Sequence, residues 1–342
     1  MQFLSDNTST ACPEILEALA AVNHGRVHSY GDDEWTLRLS GCLGDYFGTE
    51  VRAFAVATGT AANSLSLATL SPPYGAVFAH RDAHIETDEC GAPAFFSGGA
   101  QLSLLAGEHA RIAPETFAQA LEDHPSVNVG LHSVQPAALS LTQMTEFGTV
   151  YRPADLAKLC ELAQSRGLKV QMDGARFANA VAFLHCHPGD ISWRAGVDVL
   201  SFGATKNGAL AAEAVVFFDA ALVRDFELRR KRAGHLFSKS RYVAAQLLAY
   251  VETGLWLRNA QRTNALAQRI AQAANPMLLH PVEGNEVFLR LGLERRARLR
   301  AAGFEFYDWG PPQHGEARLV VSWDQPQEDV EALCAALARI LP

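Results

Sequence analysis

The sequence has few of the features that mark secreted, membrane-spanning and metal-binding proteins. Its 342 residues include six widely spaced cysteines, no C-x-x-C pair and no run of 18 apolar residues. A disulfide framework or a zinc site therefore has little support, and no membrane-spanning helix is expected. The first residues lack a basic stretch followed by an apolar one, so we predict a cytoplasmic protein without a secretory signal.

Positive charge is also scarce, with 29 Lys and Arg against 37 Asp and Glu and a formal net charge of −8. Proteins that bind nucleic acid depend on clustered basic residues, so this balance argues against such a partner. One possible group of metal ligands, His185-Cys186-His187, consists of adjacent residues that point in different directions. We interpret it as a surface turn before Pro188 and predict no metal site.

Short apolar runs alternate with amphipathic stretches along most of the chain, which predicts an α/β fold with a mostly parallel sheet covered by helices. From about Leu222 to Ala274 the pattern is helical, with breaks at Gly234 and Gly254. We predict three parts: an N-terminal arm at 1–30, a large domain at 31–255 and a smaller α+β domain at 256–342. The strands predicted for the sheet are Ala53–Ala57, Ala76–Ala79, Gln101–Leu105, Val127–Val134, Leu168–Met172, Val197–Phe202 and Ala214–Phe218. The strands predicted for the smaller domain are 286–291, 304–307 and 318–323.

Three local motifs point to chemistry. At Thr58-Gly59-Thr60 a strand ends in a glycine turn and a helix begins, which directs free N–H groups at an anion, although such turns are also common for structural reasons alone. Asp173 follows an apolar strand at the edge where open α/β sheets place their ligands. Lys206 lies among small residues, where an amine is partly desolvated as imine-forming lysines are.

These motifs, in this order, match pyridoxal phosphate better than other cofactors. The turn would hold the phosphate, Asp173 would keep the ring nitrogen protonated, and Lys206 would hold the aldehyde as an imine. The acid and the lysine stand 33 positions apart, since 206 − 173 = 33. The prediction requires that their side chains meet in one site.

The sequence resembles the fold-type-I pyridoxal-phosphate enzymes of the threonine aldolase family, in particular the bacterial low-specificity L-threonine aldolase and phenylserine aldolase branch. The resemblance is collinear over nearly the whole chain. The matching stretches are 4–8, 30–34, 58–63, His84 with 88–93, 173–180, 201–208, 230–235 and the strand around Arg318.

The resemblance implies the reversible cleavage of L-β-hydroxy-α-amino acids such as threonine, allo-threonine and phenylserine to glycine and an aldehyde. By resemblance, Lys206 forms the imine, Asp173 pairs with the ring nitrogen, and Gly59 and Thr60 hold the phosphate. His84 either stacks on the ring or also acts as the base on the β-hydroxyl.

Further roles also follow from the resemblance. Arg176, Arg318 and Ser5 receive the substrate carboxylate. If residues 83–90 are helical, Asp88 shares a face with His84 and could orient its imidazole or contact the substrate hydroxyl. The resemblance also implies a homo-oligomer, at least a dimer and more often a tetramer.

Two stretches depart from the family pattern. Many members carry a second active-site histidine in a Glu-Asn-Thr-His stretch, where this chain has Ser140 through Glu146. The role of that histidine in proton transfer is therefore open here, with His132 and Gln135 as nearby substitutes. In the turn that lends a phosphate contact to a neighbouring subunit, the basic residue is either Lys239 or Arg241.

Two other functions remain open at this point. A β-eliminating lyase or an aminotransferase is possible because residues that hold the cofactor do not select which bond to Cα breaks. A non-catalytic binding protein with the same fold is the other alternative, and the presence of Lys206, Asp173 and both arginines argues against it.

Overall fold

The computed structural model describes residues 1–340, and its largest element is a seven-stranded sheet. The strand order across this sheet is β1-β7-β6-β5-β4-β2-β3. The strands are β1 (Arg52–Val56), β2 (Gly75–His80), β3 (Gln101–Leu105), β4 (Gln135–Thr142), β5 (Lys169–Gly174), β6 (Val199–Gly203) and β7 (Glu213–Phe217).

Strands β1 to β6 all run in one direction, and β7 runs antiparallel between β1 and β6. Strands β2, β6 and β7 are buried along their whole length, as expected for a sheet covered on both faces. The carboxyl ends of six strands therefore lie along one edge, where the loops that carry polar residues meet.

Helices cover the sheet and begin where the sequence offers caps. Asp33 caps α2, with its carboxylate accepting from the backbone N–H of Thr36 at 2.9 Å, and Pro153 occupies the first turn of α8. The helices are α1 (Pro13–Ala21), α2 (Glu34–Phe47), α3 (Gly59–Leu70), α4 (His84–Thr87), α5 (Ala92–Ser97), α6 (Pro114–Glu122), α7 (Pro125–Val129), α8 (Pro153–Ser165), α9 (Phe177–Leu184), α10 (Val223–Arg232), α11 (Arg241–Glu252), α12 (Leu255–Ala274), α13 (Gly292–Ala301) and α14 (Gln327–Ile340).

A smaller three-stranded sheet follows, in the order β8 (Glu286–Arg290), β10 (Glu316–Val320) and β9 (Tyr307–Trp309). It shares a hydrophobic core with α14 and the second half of α12, whereas Leu255 at the start of α12 belongs to the core of the large sheet. We therefore propose that the boundary between the two domains lies at 255/256. The N-terminal arm contributes to both cores, through Phe3 on one side and Ile15 on the other.

One predicted strand is wrong. Residues 127–134 form the end of helix α7 and a short 3-10 turn, and the strand begins only at Gln135. Pro125 starts the helix, and Val127 and Val129 point to solvent with 61% and 48% of their surface exposed. The apolar run therefore had the composition of a strand without the burial that a central strand needs. In the small domain, the strands predicted at 304–307 and 318–323 lie at 307–309 and 316–320.

Other predicted features are confirmed. The helical region after residue 222 divides into α10, α11 and α12, with Gly234 between the first two and Gly254 as the cap of the third. His185 and His187 lie in the turn that ends α9 and caps the next 3-10 helix. Among residues 1–340, none of the helices combines the length and apolarity needed to cross a lipid bilayer.

Candidate active site

Segments at the carboxyl edge of the large sheet enclose a cavity of about 390 Å³, called the inner cavity below. Its walls come from the start of α3, the loop after β2, the loop after β4 and the strand ends of β5 and β6. The predicted site residues that line it are Gly59, Thr60, His84, Asp88, Asp173, Arg176 and Lys206. The sequence prediction that Asp173 and Lys206 meet in one site is therefore confirmed.

The first turn of α3 forms one wall of the inner cavity. Thr58 caps this helix by accepting from the backbone N–H of Ala61 at 3.2 Å. The N–H groups of the first turn have no carbonyl partner within the helix, and the positive end of the helix dipole lies here. No atom lies within 4 Å of the position that a side chain on Gly59 would take. This wall can therefore accept a phosphate group.

A buried hydrogen-bond chain fixes Asp173 and His84 across the inner cavity. Asn63 donates through its amide nitrogen to Asp173 Oδ2 at 2.7 Å and to Glu89 Oε1 at 2.9 Å. The same Glu89 oxygen lies 2.9 Å from His84 Nδ1. This hydrogen bond raises the pKa of His84 above its ordinary value, against the opposing effect of partial burial.

The sequence predicts only part of this hydrogen-bond chain. Asn63 and Glu89 lie in the stretches that carry the family resemblance, but no local pattern indicates a role for them. The contact between Asn63 and Asp173 joins residues 110 positions apart. Residues 83–90 are not helical throughout, so the condition for a contact between Asp88 and the His84 imidazole is not met, whereas a contact of Asp88 with the substrate hydroxyl stays a prediction. Helix α4 ends before Asp88, which is exposed and accepts from Thr87 Oγ1 at 2.6 Å, so Glu89 takes the position beside the imidazole.

Lys206 lies in a three-residue 3-10 turn directly after β6. The tight turn needs Gly208, whose φ of +113° is unfavourable for residues with a side chain. Opposite the amine, Glu213 at the start of β7 is 7% exposed and accepts from the backbone N–H of Ala204 at 3.1 Å. Burial raises the pKa of Glu213 to about 7, so this carboxyl group can gain or lose a proton near neutral pH.

Arg176 is already paired within the chain. Its guanidinium donates to Asp6 at 2.7 and 3.0 Å and lies 3.3 Å from Glu286. Burial opposes ionisation of Asp6, but Arg176 and Lys206 outweigh it and hold the pKa of Asp6 below its ordinary value. This buried group joins the N-terminal arm, the large sheet and the small sheet. The expected carboxylate-binding role of Arg176 stays a prediction, because Asp6 and Glu286 now occupy its donors.

Arg318 has a different environment. It lines a second, outer cavity of about 620 Å³ that shares His84, Glu146 and Lys206 with the inner one and also contains Ser5. Its guanidinium lies 5.4 Å from the ring of Tyr307 and 5.7 Å from that of Trp309, and its buried Nε has no hydrogen-bond partner within residues 1–340. Arg318 thus lines the outer cavity and has one buried N–H donor without a partner among the described residues.

Neither Lys239 nor Arg241 lines the inner or outer cavity of the described chain. Arg241 donates to the backbone oxygen of His24 at 3.0 Å and stacks over the ring of Tyr242, whereas Lys239 is exposed. The part that either takes in a neighbouring subunit stays a prediction.

His84, Glu89 and Asp173 place ligand atoms within 4.8 Å of one another, the arrangement that a cation would need. In this protein the same atoms are joined by the hydrogen bonds of Asn63 and His84 described above. The prediction of no metal therefore stays a prediction.

The inner cavity fits pyridoxal phosphate. It combines an anion-binding helix start, a buried carboxylate, an imidazole at the cavity wall and a lysine amine on a turn held by small residues. The first-turn N–H groups of α3 suit the phosphate, Asp173 suits a protonated ring nitrogen, and Lys206 suits the aldehyde. Fold and site together define a pyridoxal-phosphate-dependent enzyme.

Known proteins agree with this class. A family model described as beta-eliminating lyase matches residues 2–292. The low specificity L-threonine aldolase of Pseudomonas aeruginosa is 43% identical over 99% of this chain and 98% of its own length. The protein of the same name from Pseudomonas sp. strain NCIMB 10558 is 40% identical over the same shares. The chain belongs to the beta-eliminating lyase family.

Solved structures confirm the predicted fold class. The threonine aldolase of Leishmania major superimposes with a TM-score of 0.92, covers 99% of both chains and is 24% identical. The serine palmitoyltransferase of Sphingomonas wittichii superimposes with a TM-score of 0.71 over 99% of this chain and 86% of its own, at 15% identity. At these identities the likeness concerns the fold alone.

Proposed function

We propose that the protein cleaves L-β-hydroxy-α-amino acids to glycine and an aldehyde, reversibly, with pyridoxal phosphate as cofactor. The observation that carries the proposal is the inner cavity, in which Lys206, Asp173 and the first turn of α3 face the same space. The two Pseudomonas relatives, similar over their full length and named for this activity, support the choice of reaction.

Different residues of the chain hold the cofactor and bind the substrate. When bound, the cofactor provides an electron sink for the pair released at Cα. Asp173 keeps the ring nitrogen protonated, and Asn63 holds the Asp173 carboxylate in place. Arg318 and Ser5 receive the substrate carboxylate in the outer cavity, since a guanidinium binds a carboxylate through two donors.

We propose that the site accepts aryl as well as methyl groups on the β-carbon. The outer cavity has Phe147, Tyr307 and Trp309 among its lining residues. The rings of Phe147 and Trp309 lie 5.9 Å apart at an angle of 89°. Aromatic walls of this kind favour an aromatic side chain, so phenylserine is a proposed substrate beside threonine and allo-threonine.

The test is product analysis with the holoenzyme and the isomers of threonine and phenylserine. Glycine with acetaldehyde or benzaldehyde supports the proposal. A keto acid with ammonia would identify a β-eliminating lyase, which the family description makes the second candidate, and a new amino acid would identify an aminotransferase. Absence of turnover across this panel would favour the alternative of a non-catalytic binding protein.

Lys206→Ala tests the covalent link directly. We expect this variant to lose both turnover and the chromophore that borohydride fixes to the protein, because no other lysine within residues 1–340 lines either cavity. Lys158→Ala removes an exposed lysine on α8 and should retain both. A borohydride-fixed chromophore in Lys206→Ala would contradict the assignment.

We also propose a homo-oligomer, at least a dimer, in which Lys239 rather than Arg241 reaches the neighbouring phosphate. The support is that Arg241 is held by its own chain through the backbone oxygen of His24. A cytoplasmic location is proposed from the cysteines, which are all unpaired.

A further inference from the structure

Cleavage of a β-hydroxy amino acid needs a group that removes the proton of the β-hydroxyl as the Cα–Cβ bond breaks. The stretch 140–146 lacks the histidine found there in many threonine aldolases, and the sequence offered His132 and Gln135 as substitutes. The structure places His132 in a 3-10 turn and Gln135 at the start of β4, and neither lines the inner or outer cavity of the described chain.

The same stretch brings a carboxyl group into the site. Glu146 lines both cavities, together with His84 and Lys206. Its Oε1 accepts from the backbone N–H of His84 at 2.9 Å and from Thr142 Oγ1 at 2.8 Å. Its Oε2 is buried and has no hydrogen-bond partner within residues 1–340. One oxygen is thus held in place and the other keeps free lone pairs.

The surroundings of Glu146 set its proton affinity. Burial raises the pKa of Glu146 to about 7, and the negative charge of Asp173 acts in the same direction against the two hydrogen bonds to Oε1. A carboxyl group of this kind exchanges protons at neutral pH, as a general base requires. The charged and titratable groups that line the two cavities or act on Glu146 are Asp82, His84, Asp88, Tyr151, Asp173, Arg176, Lys206, Glu213, Glu286, Tyr307 and Arg318.

His84 is less suited to the same step. The hydrogen bond that its Nδ1 donates to Glu89 raises the pKa of the imidazole and so favours the protonated ring. A protonated imidazole cannot accept a proton, although it can donate hydrogen bonds and stack on a flat ring.

Building on the proposed aldolase function, we propose that Glu146 is the general base that removes the proton of the substrate β-hydroxyl. The O–H bond breaks as its proton passes to the carboxylate, and its electron pair forms the C=O bond of the leaving aldehyde. The electron pair of the Cα–Cβ bond stays with the glycine fragment, and Cα then takes a proton from water to give glycine. Glu146 then returns its proton to water, so that atoms and charges balance.

Glu146→Gln tests the proposal, because the amide keeps an oxygen for the N–H of His84 and for Thr142. We expect threonine cleavage to fall by about 10²–10⁴-fold in kcat/KM. Exchange of the Cα hydrogens of glycine in D₂O, followed by NMR, should persist because it involves no β-hydroxyl. The rise in wild-type activity with pH through neutrality, as the base loses its proton, should be absent from the variant.

Three comparisons make the test specific. Glu146→Asp, which retains a carboxylate, should recover part of the cleavage rate, and Glu161→Gln, at an exposed position on α8, should cleave like wild type. A difference infrared spectrum of the protein without substrate should show protonated carboxyl bands of Glu146 and Glu213 that titrate near neutrality, and in Glu146→Gln the Glu146 band should be lost while the Glu213 band remains.

The role of Glu146 would be refuted if Glu146→Gln cleaves threonine at the wild-type rate or loses cleavage and glycine exchange equally. Unchanged infrared bands in this variant would refute it as well. A wild-type enzyme that cleaves no β-hydroxy amino acid would refute the proposed function instead, and the infrared band would still decide whether Glu146 titrates.

Discussion

Substitution of Asp6 by Asn should destabilise the protein strongly, because it leaves Arg176 buried with half of its partners. Asp6 is 1% exposed and binds the guanidinium through two hydrogen bonds, and the side chain of Arg176 is 12% exposed. Removal of one partner from a buried ion pair costs about 3–5 kcal/mol. Glu286 remains 3.3 Å from Arg176, so we expect the lower end, about 3 kcal/mol.

Urea unfolding of the holoenzyme at pH 7, followed by tryptophan fluorescence at fixed protein concentration, measures this loss. With a slope of about 3 kcal/mol per M, the midpoint should fall by about 1 M. Glu331→Gln is the matched control, because its pair with Arg269 is exposed on both sides and should contribute little to stability. The double variant Asp6→Asn with Arg176→Gln should lose less than the sum of the single changes.

The pH dependence supplies a second check with a definite sign. Because the folded-state pKa of Asp6 lies below its ordinary value of 3.8, the stabilisation from its charge is fully present above that value. It is lost as the pH falls from 3.8 through the folded-state pKa, so wild type and Asp6→Asn should converge there. A midpoint shift near that of Glu331→Gln at pH 7 would refute the reasoning.

Two further substitutions test the geometry of the site. Glu89→Gln should lower the pKa of His84, since the charged partner of Nδ1 is lost, and an NMR titration of the His84 ring that shows no decrease would contradict the assigned hydrogen bond. Gly208→Ala should cost about 2–4 kcal/mol and reduce the bound-cofactor absorbance, because the new methyl group meets Cys12 and the turn that holds Lys206 needs a positive φ. Gly41→Ala in helix α2, where no atom lies within 4 Å, is its control and should keep the wild-type absorbance and stability or gain slightly.

The cofactor chemistry and the fold class followed from local sequence. A strand that ends in a turn, a carboxylate at a strand end and a lysine among small residues are each set by a few consecutive positions, and βα alternation places such ends along one edge. The apolar run at 127–134 shows the limit, because composition alone did not reveal that Val127 and Val129 face solvent.

The partners of these residues depended on the tertiary structure. Asp6 and Arg176 lie 170 positions apart, and Asn63 and Asp173 lie 110 positions apart, so no local spacing predicts their contacts. Glu146 lies in a stretch that departs visibly from the family pattern, yet its raised pKa comes from burial, which is a property of the packed chain. The sequence by itself determined which chemical groups the protein carries and the edge of the sheet at which they emerge. Tertiary packing decided which of them are paired, which are desolvated and which keep a free donor or acceptor, because these properties arise from neighbours distant along the chain.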